Sequence, residues 1–272
     1  MEDFRSYAAG GREKKRRRQA YLVVFSVLSL ALLVFIAASW IFLKSPLFTV
    51  KRITVSGNGI TPEKDILDLL RSKIGNGNLF LAMAGLNNVL AWPSAVEKSD
   101  LRFLSSLSEL SVKKDYGKGT VNVTVKERDR YGVWCGVSAG GNDPADCRWF
   151  DENGVVFERA PFAEGSLITS VLDYSGKKMT ASSLILPERM LSNALSVFEV
   201  LKKSGLRIKG ISIKDISLEE LEVSTYDGPV AYFSLRFPAD NALPVIQNFA
   251  SKSGFKDLEY LDFRVENRAY YK

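Results

Sequence analysis

Apolar and polar positions divide this chain at residue 43. From Tyr21 to Leu43 run 23 residues without a charge, a proline or a glycine, interrupted only by Ser26, Ser29 and Ser39. At about 1.5 Å per residue such a helix is roughly 34 Å long, enough for a hydrocarbon core of about 30 Å. A core helix of a soluble protein carries a polar stripe, and this stretch has none. It predicts a transmembrane helix. The rival is a cleaved signal peptide, for which Ala37-Ala38-Ser39 offers small residues. Against cleavage, the run exceeds an ordinary signal core, and Trp40, Ile41 and Phe42 continue it.

Beyond residue 43 the period changes. Phe48 to Val55 alternates and stops at Ser56-Gly57-Asn58-Gly59, the signature of a strand entering a turn. Thr61-Pro62-Glu63 then reads as an N-cap, a proline at the first helical position and an acid in the first turn. Ile66, Leu69, Leu70 and Ile74 follow at helical spacing, with Gly75 as the stop. Asn78-Leu79-Phe80-Leu81 with Leu86, Val89, Leu90 and Val96 predicts a second helix, bent near Pro93. Glu109 to Val112 and Thr120 to Val125 read as a hairpin about Gly117-Lys118-Gly119. Strand, helix, helix, strand, strand makes a small α+β domain with an open sheet edge.

From Tyr131 the pattern turns to short strands: Gly132–Cys135, Arg148–Asp151, and Val155–Phe157 after the turn Asp151-Glu152-Asn153-Gly154. Gly136–Asp146 reads as an irregular loop. Pro187 opens an amphipathic helix through Lys203, stopped by Gly205. Strands at Ile208–Lys214, Glu220–Thr225 and Val230–Phe237 precede a short helix at Asn241–Ser251 and a long closing strand, Leu258–Tyr270. This is a second α+β domain.

Charge orients the chain. The net charge is +6, of which residues 1–20 hold seven Lys/Arg against three acids. Residues 44–60 carry only Lys44, Lys51 and Arg52, so the positive-inside bias places the N-terminus in the cytoplasm and residues 44–272 across the membrane. The basic cluster abuts the bilayer and reads as a headgroup contact; no nucleic-acid partner is expected.

The chain has no histidine, which removes Ser-His-Asp and Cys-His arrangements and nearly every catalytic zinc site. Its two cysteines, Cys135 and Cys147, either close a disulfide across a short loop or stand as free thiols. Gly57-Asn58-Gly59 and Gly75-Asn76-Gly77 read as turns, since neither completes a phosphate-binding motif. Ser111-Val112-Lys113-Lys114 and Ser175-Gly176-Lys177-Lys178 match Ser-x-x-Lys, but neither serine opens a predicted helix and no partner motifs follow. No cofactor is expected, and a membrane-anchored peptidoglycan enzyme is disfavoured.

Several segments in order resemble a known family. They are the anchor with its basic tail, the strand Phe48–Asn58, Gly77-Asn78-Leu79-Phe80, and Val123-Thr124-Val125-Lys126-Glu127-Arg128. Trp149–Phe157, Leu261-Asp262-Phe263-Arg264 and Tyr270-Tyr271-Lys272 complete the set. Together they resemble the FtsQ/DivIB family of bacterial cell-division proteins. The resemblance implies a POTRA domain (β-α-α-β-β) at residues 47–128 and a β domain at 131–272, after a cytoplasmic tail at 1–20 and a transmembrane helix at 21–43. Arg130 stands where the family usually has proline, and Asp100–Tyr116 and Gly136–Asp146 are longer than the family leads one to expect.

The implied role is a non-enzymatic, single-pass scaffold at the division septum. Its partners would be coiled-coil proteins of the FtsB/FtsL or DivIC type outside the cytoplasmic membrane, and it would help control septal peptidoglycan synthesis. On Leu258–Tyr270, Tyr260, Asp262, Arg264, Glu266, Arg268 and Tyr270 share one face, with Leu261, Phe263 and Val265 on the other, which is expected to face the domain core. The Tyr/Arg face, with Tyr271, is the expected partner contact, because sheet edges accept added strands and aromatics and arginine dominate hot spots. The alternative is an exported POTRA adaptor for polypeptide transport or envelope assembly.

Overall fold

A computed structural model describes residues 3–74, 83–138, 141, 144–165, 167–251 and 254–272. The protein is a mixed α+β chain with one long N-terminal helix, a three-stranded sheet and a nine-stranded sheet. It divides into two compact units. The first comprises Met1–Ser56, Ile66–Ala95 and Ser111–Thr124, the second Gly57–Asp65, Val96–Leu110 and Val125–Lys272.

Helix α1, Asp3–Leu43, runs unbroken. Its Arg17–Leu43 stretch is long and apolar enough to cross a membrane. Strand β1 (Arg52–Ser56) follows, then helix α2 (Glu63–Ser72), whose inner face buries Ile66, Leu69 and Leu70 as its spacing predicts. The expected cap does not form. Thr61 instead donates its N–H to Glu127 and shares a hydrogen bond with Ser106, so the helix starts at Glu63.

The second predicted helix is not continuous. Asn78-Leu79-Phe80-Leu81 and the Gly75 stop lie outside the described residues, and Val89–Ala91 makes a single 3-10 turn. Asn88 explains the break: its side chain accepts from Leu90 N–H and donates to the Leu43 carbonyl, so it acts as a cap rather than an interior helix residue. Asp100–Leu104 forms another 3-10 turn, and strand β2 occupies Leu107–Asp115. Strand β3 (Thr120–Glu127) lies between β1 and β2 and runs parallel to β1. Its alternate residues Val121, Val123 and Val125 are buried.

The larger sheet adds β4 (Gly132–Val137), β5 (Pro144–Phe150), β6 (Val156–Arg159), β7 (Thr169–Asp173), β8 (Ile208–Ile213), β9 (Glu220–Thr225), β10 (Val230–Ser234), β11 (Tyr260–Phe263) and β12 (Tyr270–Tyr271). Their spatial order is β12-β11-β10-β9-β8-β7-β4-β5-β6. β7 was not apparent in the sequence: it is a five-residue run whose burial does not alternate. Helices α3 (Glu188–Ser204) and α4 (Ala242–Ala250) share one core with the strands, formed around Trp134, Phe150, Phe198, Phe233 and Ile246. Gly205 stops α3 in the left-handed conformation that a Cβ would oppose.

The expected loop at Gly136–Asp146 is shorter than read, because β4 and β5 pair as far as Val137 and Pro144. That pairing sets Cys135 directly opposite Cys147 with Cα atoms 4.0 Å apart, and the two form a disulfide.

Arg128, just past β3, forms a buried ion pair with Asp151, just past β5, at 2.5 Å. Asp151 also accepts from Asn153 and Val155 N–H, and Arg128 donates to the Ser105 carbonyl. Removing one partner leaves the other largely shielded from water without its ion-pair partner. Arg128→Ala or Asp151→Ala should each cost about 3–5 kcal/mol, with the double variant well below their sum. Urea unfolding of the three variants measures this, and additive losses would contradict it.

Candidate functional site

The residues singled out from the C-terminal sequence gather at one edge of the large sheet. β11 runs parallel to β10, with Tyr260 opposite Val230 and Phe263 opposite Phe233. Leu261 and Phe263 turn into the core, and the Phe263 ring stacks on Phe233 at 5.2 Å. On the other face Tyr260 meets Tyr232 edge-on at 6.5 Å.

Arg264 organises that polar face. It donates from Nε and Nη2 to the two Asp262 oxygens, at 2.9 and 2.6 Å, and from Nη1 to Glu220 at 2.9 Å. Its guanidinium also lies over the Tyr232 ring, 4.9 Å from the centroid. A planar fork with this many partners is fixed in place, so Arg264 serves the sheet's own geometry. The hydrogen bonds from Arg264 hold the Asp262 carboxyl below its ordinary pKa, against the opposing push of burial.

The single long strand expected over Leu258–Tyr270 is two short ones, and here the sequence reading is corrected. Asp262 Oδ1 accepts from Arg264 N–H, a local bond that ends the strand. Arg268 N–H then donates to the Val265 carbonyl, and Asn267 takes a left-handed conformation with φ of 58°. The chain reverses, and β12 pairs antiparallel to β11, Tyr270 against Asp262 and Tyr271 against Leu261. Val265, expected in the core, is exposed on the turn, as are Glu266 and Arg268. Tyr260, Asp262 and Arg264 are thus brought together. Glu266 does not join them, and the Arg268 side chain donates to the Tyr270 hydroxyl, at 3.4 Å.

β12 is the outermost strand, so Tyr270 and Tyr271 stand at the edge, both exposed. Tyr271 packs its ring on Phe249 at 4.8 Å. Lys272 N–H donates inward to the Tyr260 carbonyl. Because successive backbone groups alternate sides, the N–H and C=O of Tyr271 point away from β11 to the open edge.

Two participants escaped the sequence reading, Tyr232 and Glu220. Alternation in Glu220–Thr225 and Val230–Ser234 assigns both to a polar face, but only the strand order places that face beside Arg264. Of the Ser-x-x-Lys serines, Ser111 lies on β2, and Ser175 follows β7 in a turn where its N–H bonds Asp173. Neither occupies the first turn of a helix.

Among the described residues, fold and site define a mixed α+β protein with one helix fit to cross a membrane and an open sheet edge at β12. No protein-family model matches the chain, and no curated protein matches it.

A carboxyl held low contributes stability above its unfolded pKa and loses it as pH falls through the folded value. Asp262→Asn should therefore lower stability at pH 7 by about 1 kcal/mol or less. The gap should close as the pH drops through the acid side of the ordinary carboxylate range, below about pH 4. Chemical unfolding of both proteins across that range checks this, and a gap that persists unchanged in acid would refute it.

Proposed function

We propose that this protein is a single-pass scaffold of the bacterial division machinery, of the FtsQ/DivIB kind. In this reading α1 crosses the cytoplasmic membrane with its basic end inside. The three-stranded sheet with its helices is the POTRA domain, and the nine-stranded sheet is the β domain. The protein works by binding, without catalysis. Partners of the FtsB/FtsL or DivIC type add a strand to β12 and are thereby positioned to influence septal peptidoglycan synthesis.

One observation carries the proposal: the large sheet ends in a two-residue strand in which the Tyr271 backbone groups face outward and both tyrosines are exposed. An unpaired edge offers main-chain hydrogen bonds to an incoming strand, and tyrosine supplies contact area at small entropic cost. Further support comes from the N-terminal charge asymmetry and from the strand-helix-strand-strand order of the small sheet.

Photo-crosslinkers placed in cells at Arg268 and Tyr270 should capture a bitopic coiled-coil division protein, and one at exposed Leu167 should not. Capture of secreted or outer-membrane clients instead would favour the transport adaptor. A backbone test separates edge pairing from side-chain contact. Tyr271→Ala keeps the outward N–H, whereas Tyr271→Pro removes it. With a crosslinker at Tyr270, capture should fall much further in the proline variant, while the two variants melt within about 1 kcal/mol of each other. Equal capture by both would rule out strand addition.

A further inference from the structure

We propose that the face of the first unit around the end of α1 docks into the outer interfacial layer of the lipid bilayer. The inference rests on the reading that α1 spans a membrane. The apolar run Tyr21–Leu43 is about 34 Å long as a helix against a hydrocarbon core of about 30 Å, which puts Leu43 at the edge of that core.

Leu43 does not emerge into open solvent. Its side chain is buried with Ala84 and Ala91, and its carbonyl accepts from Asn88 Nδ2 at 2.6 Å. These contacts fix the segment carrying residues 83–91 at the depth of the helix end. The chain after the helix is tied to the same place. Thr49 bridges Asn88, and Val50 N–H donates to the Asn87 carbonyl at 2.8 Å. Lys51 N–H donates to the Gly119 carbonyl, also at 2.8 Å, which draws in the turn between β2 and β3. Gly119 permits this approach: with φ of 66°, a Cβ there would lie 2.5 Å from the Thr49 carbonyl oxygen.

Large apolar side chains are left uncovered on these tied segments. Leu47 is 72% exposed, Met83 50%, Leu86 51% and Tyr116 47%. A single exposed apolar residue needs no explanation, but a cluster around a membrane-fit helix end does. Lysines accompany them. Lys44 Nζ sits over the Trp40 ring at 5.4 Å, and Lys118 is exposed on the β2–β3 turn. Aromatic, aliphatic and lysine side chains together match the interfacial belt of a bilayer, with ammonium groups reaching the headgroups. Amphipathic surfaces of this kind settle about 5–10 Å into the headgroup boundary.

The test uses the full chain, native disulfide oxidised, in lipid vesicles. An environment-sensitive fluorophore is attached in turn to Leu47→Cys, Met83→Cys, Leu86→Cys and Tyr116→Cys. Leu28→Cys reports the span, and Ser56→Cys, at the far end of β1, reports a position away from the face. Lipids spin-labelled at the headgroup should quench the first four labels severalfold more than the Ser56 label, and deep-labelled lipids should quench Leu28. If Leu28 is quenched while the four labels behave like Ser56, docking is overturned and the span stands. If Leu28 is not quenched, the span fails and docking falls with it.

Discussion

The buried Arg128–Asp151 pair is the constraint on which the second unit's arrangement depends. Two charges removed from water are tolerable only when their remaining hydrogen-bonding capacity is used. Here the Ser105 carbonyl takes the Arg128 Nε–H, and the turn after β5 supplies two N–H groups to Asp151. One interaction therefore fixes the exit from β3, the 3-10 segment before β2 and the turn between β5 and β6. Glu127 works beside it. Burial pushes its carboxyl up, but N–H groups of Thr61, Ile60 and Gly59 outweigh that and hold it below the ordinary value. Two adjacent residues thus brace opposite directions at the end of one strand.

Arg130 adds side-chain contacts at the entry to β4. The arginine pairs with Glu158 at 3.0 Å and lies over Trp149, 5.2 Å from the ring centroid. These two contacts join the entry to β4 with β5 and β6.

Much of the fold was legible because periodicity and punctuation agree. The helix ending at Gly205, the alternation of Val121, Val123 and Val125, and the bounds of β9 all follow from local pattern. What failed to show was set by tertiary context. β7 is short, and its burial does not alternate, so no period marks it. Leu258–Tyr270 alternates well enough to read as one strand, yet one carboxylate, Asp262, recruits the Arg264 amide and side chain and ends it. The disulfide stood open in the sequence for a similar reason. Twelve residues of separation say little, and only the β4–β5 register sets the two cysteines face to face. At the candidate site, the edge tyrosines were legible and the Glu220–Arg264–Tyr232 contacts were not, since Glu220 and Tyr232 lie 44 and 32 residues from Arg264 in sequence.

The end of α1 and the sheet edge at β12 solve the same problem in opposite ways. A helix terminus and a sheet edge both present backbone groups without internal partners. At the end of α1 the protein supplies a partner itself, Asn88, to the Leu43 carbonyl. A donor placed there matters most where water is scarce, because an unmet carbonyl costs more as the local dielectric falls. At β12 no internal partner among the described residues is supplied to the outer side of Tyr271, and the polar face beside it is held by Arg264. A rigid, short edge resists indiscriminate pairing by offering few hydrogen bonds, while its preset geometry lowers the ordering cost for a strand that fits. Closure at the helix end and openness at the sheet edge follow from the same accounting of backbone hydrogen bonds.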